Sequence, residues 1–250
     1  MINYKLDIAY NGLNYYGWQK QKNKITIQET IENVLKKIFN LNDIKLIGAS
    51  RTDAKASAFH QIANFKVPEK FKIKTDLLIK LLNHHLPDDI SINNAEIVDN
   101  KFHSQYNAKK REYIYLVYNG KIKSPVLKNF AFFYPYKINF KLLKKAIKYF
   151  RGRHNFISFV NFSKSKFKNP VRTIYKFDFK YIKEFNLIIF RITADGFLKG
   201  MIRNIIGSIL HLNKISQNPK IFKIILNSEK RIEVGPTLPA FPLFLYKVYY

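Results

Sequence analysis

Ile44-Lys45-Leu46-Ile47-Gly48-Ala49-Ser50-Arg51-Thr52-Asp53-Ala54-Lys55-Ala56-Ser57-Ala58-Phe59-His60-Gln61-Ile62-Ala63-Asn64-Phe65 sets two apolar segments around a short polar one. Ile44 to Gly48 and Ala58 to Val67 read as strands, with residues 49–57 as the loop between them. Reactive groups are commonly displayed on a loop held by rigid strands, and this one carries an Arg and an Asp two residues apart. The same tripeptide, Arg51-Thr52-Asp53, also suits an ordinary turn in which Asp53 caps and Arg51 is solvated. Its meaning depends on the rest of the chain.

Upstream, Leu6, Ile8 and Tyr10 alternate along a strand from Tyr4 to Tyr10, and a loop with Gly12, Gly17 and Trp18 follows. Thr26-Ile27-Gln28-Glu29 is a capping box, and Ile27, Ile31, Val34, Leu35 and Ile38 recur at helical spacing to about Phe39. A second helix carries Leu77, Leu78, Leu81 and Leu82, and a strand covers about Ile90 to Val98. Downstream the pattern recurs in kind. Glu112 to Tyr118 and Phe130 to Tyr134 read as strands, and Leu142, Leu143, Ala146, Ile147 and Phe150 mark a helix. Val171 to Tyr181 and Asn186 to Ala194 read as paired strands, then a helix carries Met201, Ile202, Ile205, Ile206, Ile209 and Leu210, and a strand spans Phe244 to Tyr249. Two tandem mixed α/β halves, residues 1–105 and 106–250, each with antiparallel strands and two helices, predict an α+β fold with a cleft between the halves.

Composition narrows the class. The chain has 250 residues, is 47% hydrophobic and 16% aromatic, and so excludes a disordered or collagen-like polymer. No apolar run reaches the roughly 18 residues of a membrane span, and Met1 to Asp7 lacks the apolar core of a signal peptide. With zero Cys there are no disulfides or thiolate metal sites, which fits a cytoplasmic protein. The formal net charge of +27 favours a polyanionic partner. An AT-rich coding bias, which raises Lys, Asn and Ile together, would also produce part of it. In so Lys-rich a chain, each retained Arg marks a place that needs a planar fork: Arg51, Arg111, Arg151, Arg153, Arg172, Arg191, Arg203 and Arg231.

At this point the chain resembles the TruA family of tRNA pseudouridine synthases. The family loop GRTDAGVHA, followed by a strand like GQVANF, is matched by Ser50 to Ala58 and then His60-Gln61-Ile62-Ala63-Asn64-Phe65. Tyr10-Asn11-Gly12, Tyr16-Gly17-Trp18-Gln19 and Gln21 resemble its N-terminal block, and Phe102-His103 with Arg111-Glu112-Tyr113-Ile114-Tyr115 resemble the strand that enters its second half. Gly152, His154-Asn155-Phe156, Ser158-Phe159 and Asn169-Pro170-Val171-Arg172-Thr173 follow, then Met201-Ile202-Arg203-Asn204-Ile205-Ile206-Gly207 and Gly235-Pro236-Thr237. Ser50 and Lys55 stand where the family has Gly, Ser57 where it has His, Asn11 where it has Asp, and Gln105 where it usually has Arg. If position 55 requires φ > 0, Lys55 is strained there or the loop has shifted.

The resemblance implies the pseudouridine synthase fold, with largely antiparallel strands forming a continuous sheet around a central basic active-site cleft, and a catalytic loop over residues 48–58. It implies isomerisation of uridine to pseudouridine in the anticodon arm of tRNA, at uridines 38 to 40, by a cytoplasmic homodimer that needs no cofactor. In that scheme Asp53 is the nucleophile, or the base that opens a glycal path, and Arg203 is its paired cation. Tyr113 stacks on the target uracil, and Arg51 fills the gap left by the flipped nucleotide or grips its phosphate. Arg151, Arg153, Lys164, Lys166 and Lys168 would track the backbone, although each Lys could equally be a solvated surface charge. The His residues show no metal-ligand spacing, so no metal is assigned. The rival readings are a catalytically weakened or non-catalytic tRNA-binding protein or RNA chaperone, and a basic ribosome-associated protein. The first is kept in play by the changes at 50, 55 and 57, and the second explains charge but not the ordered motifs.

Overall fold

Tyr4, Leu6, Ile8 and Tyr10 are buried along one edge-to-edge alternation, while Lys5, Asp7 and Ala9 are only half so, and this patterning makes β1 (Ile2–Tyr10). The computed structural model describes residues 1–160, 169–228 and 235–250. In chain order the further elements are α1 (Ile27–Phe39), β2 (Ile47–Gly48), β3 (Ser57–Val67), α2 (Thr75–His85), β4 (Ile90–Val98) and β5 (Lys110–Tyr118). They continue with β6 (Phe132–Phe133), α3 (Phe140–Lys148), β7 (Gly152–Asn155), β8 (Val171–Ile182), β9 (Leu187–Ala194), α4 (Met201–Lys214), α5 (Ile221–Ser228) and β10 (Leu243–Tyr249). The mixed, mostly antiparallel α/β character is the one the sequence pattern leads to. The chain divides into two compact units, one of residues Met1–Arg111 with Phe244–Tyr250, the other of Glu112–Leu243.

In the first unit the strand order is β4-β1-β3-β10, and β2 also pairs with β3. β1 runs antiparallel to β3, with Leu6 opposite Ala63, and antiparallel to β4, with Leu6 opposite Ala95. β10 lies parallel to β3, with Phe244 opposite Ser57. α1 begins where Thr26 accepts a hydrogen bond from the Glu29 amide at 3.4 Å, and it stops at Asn40, whose φ of 50° turns the chain left-handed. Its apolar face, Ile27, Ile31, Leu35 and Phe39, is buried, and Phe39 and Phe65 meet Tyr4 in an aromatic cluster.

The strand expected from Ile44 to Gly48 is shorter than its apolar pattern suggests. Only Ile47–Gly48 joins the ladder. The reason lies in α1: Gln28 and Glu32 are buried on it, the Leu46 amide donates to Glu32 Oε1 at 2.9 Å, and the Leu46 carbonyl accepts from Gln28 Nε2 at 2.9 Å. With its backbone groups satisfied by helix side chains, Leu46 has none left for a strand partner.

In the second unit the order is β5-β9-β8-β7, with β6 parallel to β5. β8 and β9 form an antiparallel hairpin closed by Asn186 at φ 48°. Phe150 packs against Phe159, Phe177 and Phe222, and α4 buries Met201, Ile202, Ile205, Ile206 and Ile209. Two elements here lie outside the sequence expectation. α5 is a third helix in a half expected to have two, and β7, Gly-Arg-His-Asn, is a polar strand without apolar alternation. The basic stretch around Lys164, Lys166 and Lys168, and Arg231, lie outside the described residues.

Candidate active site

The loop after β2 is built on a buried amide. Ala49 N donates to Ile62 O at 2.7 Å, continuing the β2–β3 ladder by one bond. Next, the fully buried Gln61 clamps Ser50 from both sides: its Nε2 donates to Ser50 O at 2.7 Å and its Oε1 accepts from Ser50 N at 3.2 Å. The guanidinium of Arg111 adds a second anchor. Nη2 donates to Ala49 O at 3.1 Å and Gln105 O at 2.7 Å, while Nη1 donates to Ala108 O at 3.0 Å. Residues 49 and 50 are therefore fixed before the chain reaches Arg51, which is exposed, and Asp53, which is half-buried.

A second loop, residues 10–18, clasps the first from behind. Tyr10 OH and Thr52 Oγ1 share a buried hydrogen bond of 2.8 Å. Trp18 N donates to Thr52 O at 3.3 Å, Lys55 N to Tyr15 O at 3.0 Å, and Gly12 N to Ser57 Oγ at 3.0 Å. The approach is close enough to require glycine. A Cβ at Gly12 would sit 1.9 Å from Ala56 O, and one at Gly17, whose φ is +89°, would sit 2.6 Å from Thr52 O. Behind this contact Tyr15 OH donates to Asp89, and burial together with that bond keeps the phenol protonated well above its ordinary range. Ser57, in the place of the family histidine, thus serves to seat the Gly12 amide.

Asp53 opens a turn. Its carbonyl accepts from Ala56 N at 3.1 Å, and Lys55, the second central residue, has φ 70°. Positive φ at that place is the mark of a type II turn, which favours glycine. The expectation for position 55 is met in its first form: the backbone has kept its left-handed path, and Lys55 carries strain on the order of 1 kcal/mol. Ser50, the other residue in a family glycine position, does not have positive φ.

The second unit holds Tyr113 and Arg203. Tyr113 on β5 is buried, with its ring edge-to-face against Phe197 at 5.2 Å. Glu112 beside it is also buried, and its carboxylate receives Arg191 Nε at 2.8 Å. Arg203, on α4, is half-buried and donates from Nε to Leu238 O at 2.6 Å. Burial pushes the Tyr115 hydroxyl up, and the positive charge of Arg203 opposes that shift. The room at Gly207 is taken by the 235–239 segment: a Cβ there would meet Pro236 O at 2.1 Å. Asn204 completes the junction, donating to Phe159 O at 2.8 Å and accepting from Thr237 Oγ1 at 2.6 Å.

Among the described residues no group of three or more His, Asp or Glu side chains could hold a metal ion, and no helix is long and apolar enough to cross a membrane. Arg151 forks onto Phe177 O through Nε and Nη2 at 3.1 and 2.8 Å, while Arg153 is exposed on β7. Residue-type reasoning gave Gln61, Tyr10 and Thr52 no role in the site, and marked Arg111 only as a place that needs a planar fork. Gln61 and Arg111 each stand in a family-like block, and a Gln in the middle of an apolar strand is itself a signal that a buried polar group has a partner.

The sequence matches the tRNA pseudouridine synthase family over residues 8–107 and 146–250. It is 40% identical over 250 residues to the tRNA pseudouridine synthase A of Caldicellulosiruptor bescii and to that of Acetivibrio thermocellus, covering 100% of each chain. To the protein of the same name from Thermodesulfovibrio yellowstonii it is 38% identical over 259 residues, again with 100% of both chains covered. With both units matched and no part of the relatives left over, the chain belongs to the tRNA pseudouridine synthase family, the enzymes that isomerise uridine to pseudouridine in tRNA.

Proposed function

We propose that this isomerase acts on uridines 38 to 40 of the tRNA anticodon arm and that Asp53 supplies the reacting carboxylate. The observation that carries the reading is the clasped loop. Residues on both sides of Asp53 are held by backbone bonds and by Gln61, while the Asp53 side chain itself remains half-exposed at the start of a turn. A loop held on both sides of a half-exposed carboxylate supports reading Asp53 as a displayed functional group. A carboxylate oxygen adds to ribose C1′ as the C1′–N1 bond breaks, and its electron pair leaves with the uracil. The base turns, C5 attacks C1′ and displaces the carboxylate, the C5 proton is lost, and N1 is protonated. Should the carboxylate instead remove the proton from C2′, the requirement for an anionic oxygen at position 53 is the same.

Tyr113 is the second unit's aromatic for the target base, Arg203 its cation for the charge of the reaction, and Arg51 the exposed guanidinium for the flipped nucleotide's phosphate or vacated stack. The net charge of +27 suits a polyanionic substrate such as tRNA. A homodimer working in the cytoplasm completes the reading, and light scattering on the purified protein checks the dimer. The activity test uses a tRNA transcript labelled with tritium at uridine C5. Isomerisation at the proposed uridines releases tritium to water, and transcripts with cytidine at 38, 39 and 40 release none. Undiminished release from the substituted transcript would overturn the choice of uridines, and no release from the parent transcript would overturn the activity.

A further inference from the structure

We infer that Lys55 is a phosphate-binding residue, whose ammonium grips the RNA backbone beside the target uridine. The inference rests on the reading of Asp53 just given and deepens it. Its starting point is a residue in an unfavourable conformation. The described non-glycine residues with positive φ are Asn23, Asn40, Lys55, Asn186 and Ser216. The other four are short polar side chains, the kind that tolerate left-handed backbone by bonding locally. Lys55 alone among them has a long stem and a charge, and it occupies the turn position that favours glycine.

That charge is exposed, and it engages no carboxylate among the described residues, whereas Lys5, Lys20 and Lys176 pair with Glu96, Glu29 and Asp178. The root of the side chain is nonetheless fixed. Lys55 N donates to Tyr15 O and Ala56 N to Asp53 O, which ties the turn to the 10–18 loop and closes it on itself. Two peptide units separate Lys55 from Asp53, at most about 7 Å between Cα atoms. A ribose reacting at Asp53 therefore brings its own or a neighbouring phosphate within reach of a four-carbon stem. Strain retained at a reactive loop, together with a displayed and rigidly rooted cation, fits an anionic ligand that returns stability when bound.

Three variants test this. Lys55→Gly relieves the backbone and removes the charge, Lys55→Asn tolerates the backbone and removes the charge, and Lys55→Arg keeps the charge. Affinity for an unmodified tRNA transcript is titrated against KCl in the Asp53→Asn background, and tritium release is measured with Asp53 intact. The Gly and Asn variants should bind about three- to tenfold more weakly, with the slope of log K on log salt shallower by about 0.7 to 0.9, the share of one phosphate contact. KM should rise more than kcat falls. Lys55→Arg should keep the parent slope, and Lys55→Gly should melt no lower than the parent, which separates lost binding from lost folding. Parent-like affinity and slope in both charge-removing variants would overturn the inference. So would an equal flattening by Lys144→Ala, an exposed α3 lysine, because charge and not position would then be responsible. In either case continued tritium release by the parent leaves the isomerase reading standing, and a parent that releases none removes both.

Discussion

Residues 49–57 of the first unit are held from outside, by Gln61, by Arg111 and by the backbone of residues 10–18, whereas Arg203 in the second unit rides on a helix whose own buried face fixes it. Both regions rely on a glycine pressed against a carbonyl. Gly12 meets Ala56 O, and Gly207 meets Pro236 O. The difference lies in what moves when the contact is lost. At Gly12 the displaced group is the turn that carries Asp53, and at Gly207 it is the junction between α4 and the 235–239 segment. A loop positioned by a neighbouring loop should lose function in step with its contacts, while a helix with a large buried face should lose stability first.

The largest effects should come from filling those two contacts. Gly12→Ala and Gly207→Ala each force a backbone carbonyl aside, an overpacking cost of about 3 kcal/mol and a fall in Tm of roughly 6–12 °C. At a temperature where both variants are folded, Gly12→Ala should lose turnover by more than tenfold and Gly207→Ala by much less. Equal turnover losses would break the contrast between the two regions.

Gln61→Leu comes next. It leaves the amide and carbonyl of Ser50 without their buried partner, a loss of about 2 kcal/mol. Thermal melts should show that loss, and tritium release should fall with it because Ser50 leads directly into Arg51 and Asp53. A variant that melts lower but turns over normally would mean that the clamp supports the fold and not the site. The smallest change is Ser57→Ala, which removes the acceptor for Gly12 N and should lower stability by about 1 kcal/mol with a modest loss of kcat. If that variant matches the parent in both, the seat of Gly12 is made by shape alone.

The elements that carry a period were legible in the sequence. α1 and its Thr26 cap, β4, the β8–β9 hairpin and α4 lie where alternation or helical spacing puts them. Segments whose state is decided elsewhere were not. Ile44 to Leu46 has a strand's composition, but Gln28 and Glu32 hold the Leu46 backbone to α1. β7 is polar, and α5 has eight residues with apolar side chains at Ile221, Phe222, Ile224, Ile225 and Leu226, too short and too continuous to show a period. In the site, the loop and its Asp53 stood out by composition and resemblance. The clasp did not, because a bond such as that from Tyr10 to Thr52 joins residues 42 apart in sequence, and no local pattern encodes it.

The arginines are instructive in the same way. Their retention in a Lys-rich chain marked places that need a planar fork, and Arg111 and Arg151 do bond through two nitrogens each, while Arg191 meets a carboxylate through Nε. Their partners are the carbonyls of Ala49, Gln105, Ala108 and Phe177 and the carboxylate of Glu112, groups of the protein itself. Residue type announced the geometry of the bond but not its partner.

The most direct measurement is single-turnover tritium release from C5-labelled tRNA by the parent and by Asp53→Asn, with tRNA affinity measured alongside. The amide is nearly isosteric with the carboxylate and can offer neither an anionic nucleophile nor a base. The expected result is parent-like affinity with release at least about a thousandfold slower, the equivalent of about 4 kcal/mol of barrier. Release within tenfold of the parent would contradict the assignment of Asp53 as the reacting carboxylate.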